Sequence, residues 1–269
     1  MARRTRLDAE LVRRGLARSR EQAVELIDAG RVEVRGTAAR KAAAMVDPAD
    51  PVLVRGGDAG DEYVSRGGHK LAGALAVFAP RGLTVTGRRC LDAGASTGGF
   101  TDVLLRAGAG QVVAVDVGYG QLAWALRTDP RVTVHDRTNV RALTPEQIGG
   151  PAELTVADLS FISLRLVLAA LAACTAPDGD LVPMVKPQFE VGRGRVGAGG
   201  VVRDPEARAG AVLDVARFAA GLGLGVAGVA TSPLPGPSGN VEFFLWLRRD
   251  APGVDETEVR TIVAREVQQ

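Results

Sequence analysis

From residue 88 onward, short apolar runs alternate with longer segments in which apolar residues recur every three or four positions. The runs predict strands near residues 89–93, 111–116, 132–135, 153–158, 180–186, 225–231 and 240–247, and the 3.6-residue periodicity predicts helices near 99–107, 121–127, 162–174 and 204–221. Strands that alternate with helices specify a doubly wound, Rossmann-like parallel sheet. The last two strands are joined by Ser232-Pro233-Leu234-Pro235-Gly236-Pro237-Ser238-Gly239, which leaves no room for a helix. The chain is therefore expected to end on an antiparallel hairpin. Ahead of the sheet, Ser65-Arg66-Gly67-Gly68-His69-Lys70 leads into an apolar helix from Leu71 to Phe78.

The first predicted strand runs into Asp92-Ala93-Gly94-Ala95-Ser96-Thr97-Gly98-Gly99-Phe100. A strand that ends in a glycine-rich turn and opens a helix brings bare backbone to a ligand. The second strand ends in Asp116, where a carboxylate is placed to accept hydrogen bonds from a ribose. The expected cofactor-binding residues are thus Asp92, Gly94, Ala95, Ser96, Gly98, Gly99, Phe100 and Asp116, with Asp158 at the neighbouring strand end. A dinucleotide fold wants G-x-G-x-x-G; Gly94-x-x-x-Gly98-Gly99 lacks its second glycine, which counts against a nicotinamide cofactor. The Asp92-x-Gly94 start resembles the first motif of S-adenosylmethionine-dependent methyltransferases.

The N-terminal segment follows another pattern. Leu7, Leu11, Val12 and Leu16 are spaced for one helix face, and Ser19 with Gln22 can cap a second helix that carries Ala23, Leu26 and Ile27 inward and stops at Gly30. Val32 and Val34 then alternate in a short strand. Charge changes the picture here. The 269-residue chain has a net charge of +2, yet residues 1–41 hold eleven Arg/Lys against six Asp/Glu, so the remainder is net acidic. A basic module attached to a catalytic body points to nucleic acid. No apolar run approaches the ~20 residues of a membrane span, and no apolar leader follows the basic start. Cys90 and Cys174 lie in apolar runs, and with only His69 and His135 there is neither a disulfide framework nor a metal cluster. The expectation is a cytoplasmic protein without a metal and without a membrane partner.

Charged residues recur at the strand ends. Asp158 closes the fourth strand, Lys186 the fifth, and Glu242 lies on the last; Lys70 precedes the first. Open α/β sheets bind ligands at that edge. Methylation of a hydroxyl requires alignment and removal of a proton. A lysine serves as the base when desolvation or a like charge lowers its pKa from ~10.4. The alternative for each of these residues is a structural ion pair. Asp158-Leu159-Ser160-Phe161 is not the Asn/Asp-Pro-Pro-aromatic run of amino methylation, and neither cysteine sits where carbon-5 methylation needs a nucleophile. Val191 to Gly200 reads as a basic glycine-rich loop, either closing over RNA or a plain connector.

Lys70, Asp158, Lys186 and Glu242 stand in the order of the Lys-Asp-Lys-Glu tetrad of FtsJ-like ribose 2′-O-methyltransferases. Residues 6–36, with Arg6-Leu7-Asp8, Ser19-Arg20 and Gly30-x-Val32-x-Val34-x-Gly36, resemble an S4 RNA-binding domain. Together with Ala157 to Ser163 and Val185-Lys186-Pro187-Gln188-Phe189-Glu190, the chain is similar to the TlyA family of ribosomal RNA methyltransferases from about residue 6 to 248. The resemblance implies catalysis by Lys70, Asp158, Lys186 and Glu242, with S-adenosylmethionine as cofactor. It implies methylation of cytidine 2′-hydroxyls in 16S and 23S rRNA, with ribosomal subunits as partners, and an influence on sensitivity to capreomycin-type antibiotics. Family members have also been called hemolysins, so a membrane-active protein and a non-catalytic ribosome-assembly binder are the alternatives. Arg4, Arg6, Arg14, Arg18, Arg20 and Arg66 are the expected RNA contacts. The expected organisation is an S4-like domain over residues 1–56, a linker over 57–64, a methyltransferase domain over 65–250 and a helical tail over 251–269. At the family's Arg-x-Trp-Val interdomain motif stands Asp61-Glu62-Tyr63-Val64, without the Arg or the Trp. The pattern specifies neither target nucleotides nor an oligomeric state.

Overall fold

The computed structural model describes residues 5–17, 19–28, 30–54 and 63–265. The chain divides into two compact units, Met1–Glu62 and Tyr63–Gln269. Most of the expected linker lies outside the described residues; its last two, Tyr63 and Val64, pack on the core of the second unit.

In the first unit, β1 (Thr5–Arg6) leads into α1 (Leu7–Arg13) and α2 (Arg20–Asp28), followed by β2 (Val32–Val34), β3 (Thr37–Ala38), β4 (Met45–Val46) and β5 (Val52–Val54). β2 pairs antiparallel with β3 and β5, and β1 with β4. Leu7, Leu11, Ala23, Ile27, Val32 and Val46 form a small core. Ser19 Oγ accepts from Gln22 N at 3.2 Å, the expected cap. α1 is shorter than the periodicity predicts. The chain turns at Gly15 (φ +70), which leaves Leu16 beyond the helix and 36% exposed rather than in the core.

The second unit opens with α3 (Arg66–Phe78) and continues as β6 (Arg89–Ala93), α4 (Gly99–Arg106), β7 (Gln111–Val115), α5 (Trp124–Arg127), β8 (Val132–His135), β9 (Ala152–Ala157), α6 (Leu168–Ala173), β10 (Thr175–Val185), α7 (Pro187–Glu190), α8 (Pro205–Gly221), β11 (Gly225–Thr231), β12 (Phe243–Arg248) and α9 (Glu256–Arg265). The strands form one sheet in the order β11-β12-β10-β9-β6-β7-β8. All neighbouring pairs from β10 to β8 are parallel, and β12 is antiparallel to both β10 and β11. The expected doubly wound sheet with a terminal hairpin is present. The reversed strand inserts between β10 and β11 rather than adding at the edge.

Alternate residues of each strand face opposite sides. Leu91 and Ala93 of β6 join Leu168, Leu171, Val212, Val215 and Val259 on one side, while Cys90 joins Leu71, Phe78, Phe100 and Leu104 on the other. α8 begins where Asp204 Oδ1 accepts from Glu206 N at 3.1 Å and Pro205 takes the first turn. α9 lies within the stretch expected as a tail, and its Val259 and Val263 are part of the main core. Ahead of it, Pro252 O accepts from Val226 N at 2.8 Å, occupying part of the exposed edge of β11.

Candidate functional site

Strand order reverses direction between β6 and β9, which creates a crevice at their carboxyl ends. The turn after β6 lies there. Gly94 has φ +89, and a Cβ on it would stand 2.4 Å from Asp158 O, so only glycine lets this turn pass so close to the end of β9. Ser96 (φ +48) and Gly98 (φ +102) continue the left-handed path into α4. Asp116, at the end of β7, accepts from Ser96 N at 2.8 Å through Oδ2 and from Gly118 N at 2.6 Å through Oδ1. These two bonds fix the turn. Asp92 is fully buried; Oδ2 accepts from Thr101 Oγ1 at 2.6 Å, while Oδ1 has no partner among the described residues.

The four expected catalytic residues form two ion pairs. Lys70 Nζ lies 2.5 Å from Glu242 Oε2, both side chains being buried. The helix that carries Lys70 starts at Arg66, several residues earlier than the apolar run implies. Its first turn packs against the turn of α4: a Cβ on Gly68 would be 2.3 Å from Tyr63 Cβ and 3.2 Å from Gly99 O. Lys186 Nζ is 2.6 Å from Asp158 Oδ1, an off-axis charge contact, and donates an aligned hydrogen bond to Ser160 Oγ at 2.9 Å. Gln188 Nε2 donates to Glu242 Oε1 at 3.4 Å. Asn240 holds the glycine-rich segment: its Oδ1 accepts from Val202 N and its Nδ2 donates to Gly200 O, each at 2.9 Å. Ser160 and Gln188 stand in quoted motifs without an expected role, and their positions beside Asp158 and Lys186 are the only sequence signal for them.

The FtsJ-like methyltransferase profile matches residues 63–249, and the S4 domain profile matches residues 5–52. The chain belongs to the FtsJ-like methyltransferase family. It is 64% identical over 248 residues, 92% of this chain and 91% of the relative, to the 16S/23S rRNA (cytidine-2′-O)-methyltransferase TlyA of Mycobacterium tuberculosis. It is 35% identical to Hemolysin A of Brachyspira hyodysenteriae, over 88% of this chain and 97% of that one. A hemolysin-named structure from Streptococcus thermophilus superposes with a TM-score of 0.79 at 39% identity, covering 100% of this chain and 97% of the other. In this FtsJ-like chain, no described helix is long and apolar enough to cross a membrane. Among the described residues, no group of His, Cys, Asp and Glu side chains could hold a metal. Burial pushes the Cys90 thiol up to about 12 and the Cys174 thiol up to about 11, away from nucleophilic use.

The expected RNA contacts divide. Arg4 and Arg18 lie outside the described residues. Arg6 Nη2 and Arg20 Nη2 both reach Asp8 Oδ2, at 2.8 and 2.9 Å, with their own side chains about half exposed. The hydrogen bond from Arg6 holds the buried Asp8 carboxyl well below the usual carboxylate range. Arg14 is engaged internally: Nε donates to Glu10 Oε1 at 2.7 Å and Nη1 to Asp50 O at 2.7 Å. Arg66 Nη2 donates to Pro235 O at 3.3 Å.

Burial pushes the Asp92 carboxyl up to about 7, against the hydrogen bond from Thr101. A carboxyl whose folded pKa lies above its unfolded value binds more protons when folded. Its cost is absent below ~4, grows through pH 4 to 7 and is complete above. Asp92→Asn keeps an acceptor for Thr101 and removes that cost. The variant is expected to melt above the parent by a margin that widens from pH 5 to about pH 7 and then levels off, by roughly 1.4 kcal/mol per pH unit at most. Parallel melting temperatures across that range would contradict a raised pKa.

Proposed function

We propose that this chain is an S-adenosylmethionine-dependent methyltransferase that modifies cytidine ribose 2′-hydroxyls in 16S and 23S rRNA, on ribosomal subunits in the cytoplasm. The observation that carries this reading is the Lys186–Asp158 pair beside the open turn at the strand-order reversal, with the buried Lys70–Glu242 pair contributed by α3 and the approach to β12. The residues fit the cofactor. Asp92 Oδ1 is a buried acceptor without a partner among the described residues, glycine at 94 and 98 lets the turn pass close against Asp158 O and against Leu122 and Leu126, and Asp116 would offer carboxylate lone pairs to a ribose hydroxyl. When bound, S-adenosylmethionine supplies a sulfonium-activated methyl group.

The chain's own contribution is alignment and proton handling. Lys186, held by Asp158 and Ser160, faces the hydroxyl and takes or stabilises its proton. Lys70 and Glu242 neutralise one another and fix the wall of the site. Tyr119, Trp124 and Phe161 are exposed at 69%, 76% and 91% after the ends of β7 and β9, where RNA bases offer matching π faces. In the first unit, Asp8 holds Arg6 and Arg20 side by side for phosphates.

The test is transfer of labelled methyl from S-adenosylmethionine to unmodified ribosomal subunits, with the methyl then mapped on the RNA. Label at cytidine 2′-oxygens is expected. Subunit binding without label would identify an assembly factor, and lysis of red cells by the protein alone a membrane agent. A chain beginning at Asp58 is expected to keep its fold and lose subunit affinity, because it lacks the basic first unit. Undiminished methylation by that shorter chain would contradict the division of labour.

A further inference from the structure

We propose that Glu190 is a positioning residue whose buried carboxylate ties the loop after β9 to the turn after β10 and so sets Asp158 and Ser160 against Lys186. The inference rests on the reading of Lys186 as the proton-handling group. Glu190 is 5% exposed, and a buried carboxylate is costly unless its oxygens are bonded. Ser163 Oγ donates to Oε2 at 2.6 Å and Leu164 N to Oε1 at 2.7 Å. Arg165 Nε approaches Oε2 at 3.6 Å, and Arg165 Nη2 donates to the Glu190 carbonyl at 3.3 Å. All three partners follow β9, whereas Glu190 follows β10.

Two further observations show why the tie reaches the site. α7 starts on Pro187, and Phe189 N donates to Lys186 O at 2.9 Å, so Lys186 and Glu190 sit on one short rigid turn. The segment from Asp158 to Ser163 contains Phe161 at φ +63, a left-handed conformation that is strained for a bulky residue. Such a segment keeps its shape only when both ends are held. One end is fixed where Asp158 N donates to Ala93 O at 3.0 Å, and the other is fixed by Glu190. Without Glu190 the strained segment is free to relax, and Asp158 and Ser160 move away from the Lys186 ammonium.

The test is a mutant cycle read by single-turnover methylation of unmodified ribosomal subunits, with S-adenosylmethionine affinity measured by calorimetry. Glu190→Ala is expected to slow transfer by about 10- to 100-fold, since a displacement near 1 Å costs up to ~10², and to leave cofactor affinity unchanged. Glu190→Gln keeps an acceptor for Leu164 N–H and recovers most of the rate. In a Lys186→Ala background, Glu190→Ala costs nothing further, because the group it positions is gone. An equal, additive loss in both backgrounds would reduce Glu190 to a structural residue. So would a folded, cofactor-binding Glu190→Ala that transfers at the parent rate. If Glu190→Ala does not fold, Ser163→Ala removes one strut of the same tie and carries the cycle. A fully active Lys186→Ala would overturn the reading of Lys186 itself, an outcome distinct from additivity.

Discussion

Lys186→Ala is expected to lower the single-turnover rate of methyl transfer by roughly 10²–10⁴, the range of groups that move a proton in the transition state. Cofactor affinity should stay near the parent value, because the turn Gly94–Gly98 and Asp116 belong to other strands. Lys186→Arg should fail as well, since a guanidinium stays protonated and its planar fork does not fit the Ser160 and Asp158 contacts at 2.9 and 2.6 Å. A purely structural ion pair makes the opposite forecast. Asp158 is only partly buried, so loss of its partner would lower the melting temperature while the folded fraction turns over normally. Calorimetry and single-turnover kinetics on one preparation separate the two. A stable, cofactor-binding, fully active Lys186→Ala would remove Lys186 from the mechanism.

Lys70→Ala is expected to act first on stability. Glu242 is 1% exposed, and deleting its cation leaves an uncompensated buried charge at a cost of about 3–5 kcal/mol. For a unit of this size that lowers the melting temperature by roughly 6–20 °C. Neutralising both partners, as Lys70→Met with Glu242→Gln, should recover most of the stability, because a well-packed neutral pair replaces two desolvated charges. Activity should not return with it if the pair shapes the field around the reacting hydroxyl. A double variant that is stable and fully active would assign Lys70 and Glu242 to the core alone.

Much of the sheet was legible because its strands are short apolar runs bounded by glycine turns. The departures have local causes. β10 begins at Thr175, ahead of the apolar run, because it pairs with β9 across an irregularity that hides Pro177 and Gly179 inside a strand. β12 begins at Phe243 because Asn240, which looks like a strand residue, spends its amide on Gly200 and Val202. The helix expected from residue 162 breaks into a tight turn at Leu164–Leu166 and then α6, since Ser163 and Glu190 together satisfy its first donors. The charged residues of the site were readable as strand-end residues, and the pairing of Lys186 with Asp158 follows from adjacent strands. The pairing of Lys70 with Glu242 does not, because it joins residues 172 apart. The tie from Glu190 is likewise a long-range side-chain contact with no period or turn signal to announce it. Arg14 looked like a phosphate ligand from its charge. Only the folded chain shows its guanidinium spent on Glu10 and on the carbonyls of the loop before β5.

The insertion of β12 between β10 and β11 also sets a timetable for synthesis. β11 leaves the ribosome before β12 and has no strand of the sheet to pair with until β12 arrives. At ~5–20 residues per second, the stretch from Val185 to Arg248 takes roughly 3–13 s to make. During that interval the edge of β10 is open, and its apolar half, Leu181 to Val185, is ready to pair with another chain. The same insertion brings Glu242 to Lys70, so closing the aggregation-prone edge and completing the charged site are one late event in the life of the nascent chain.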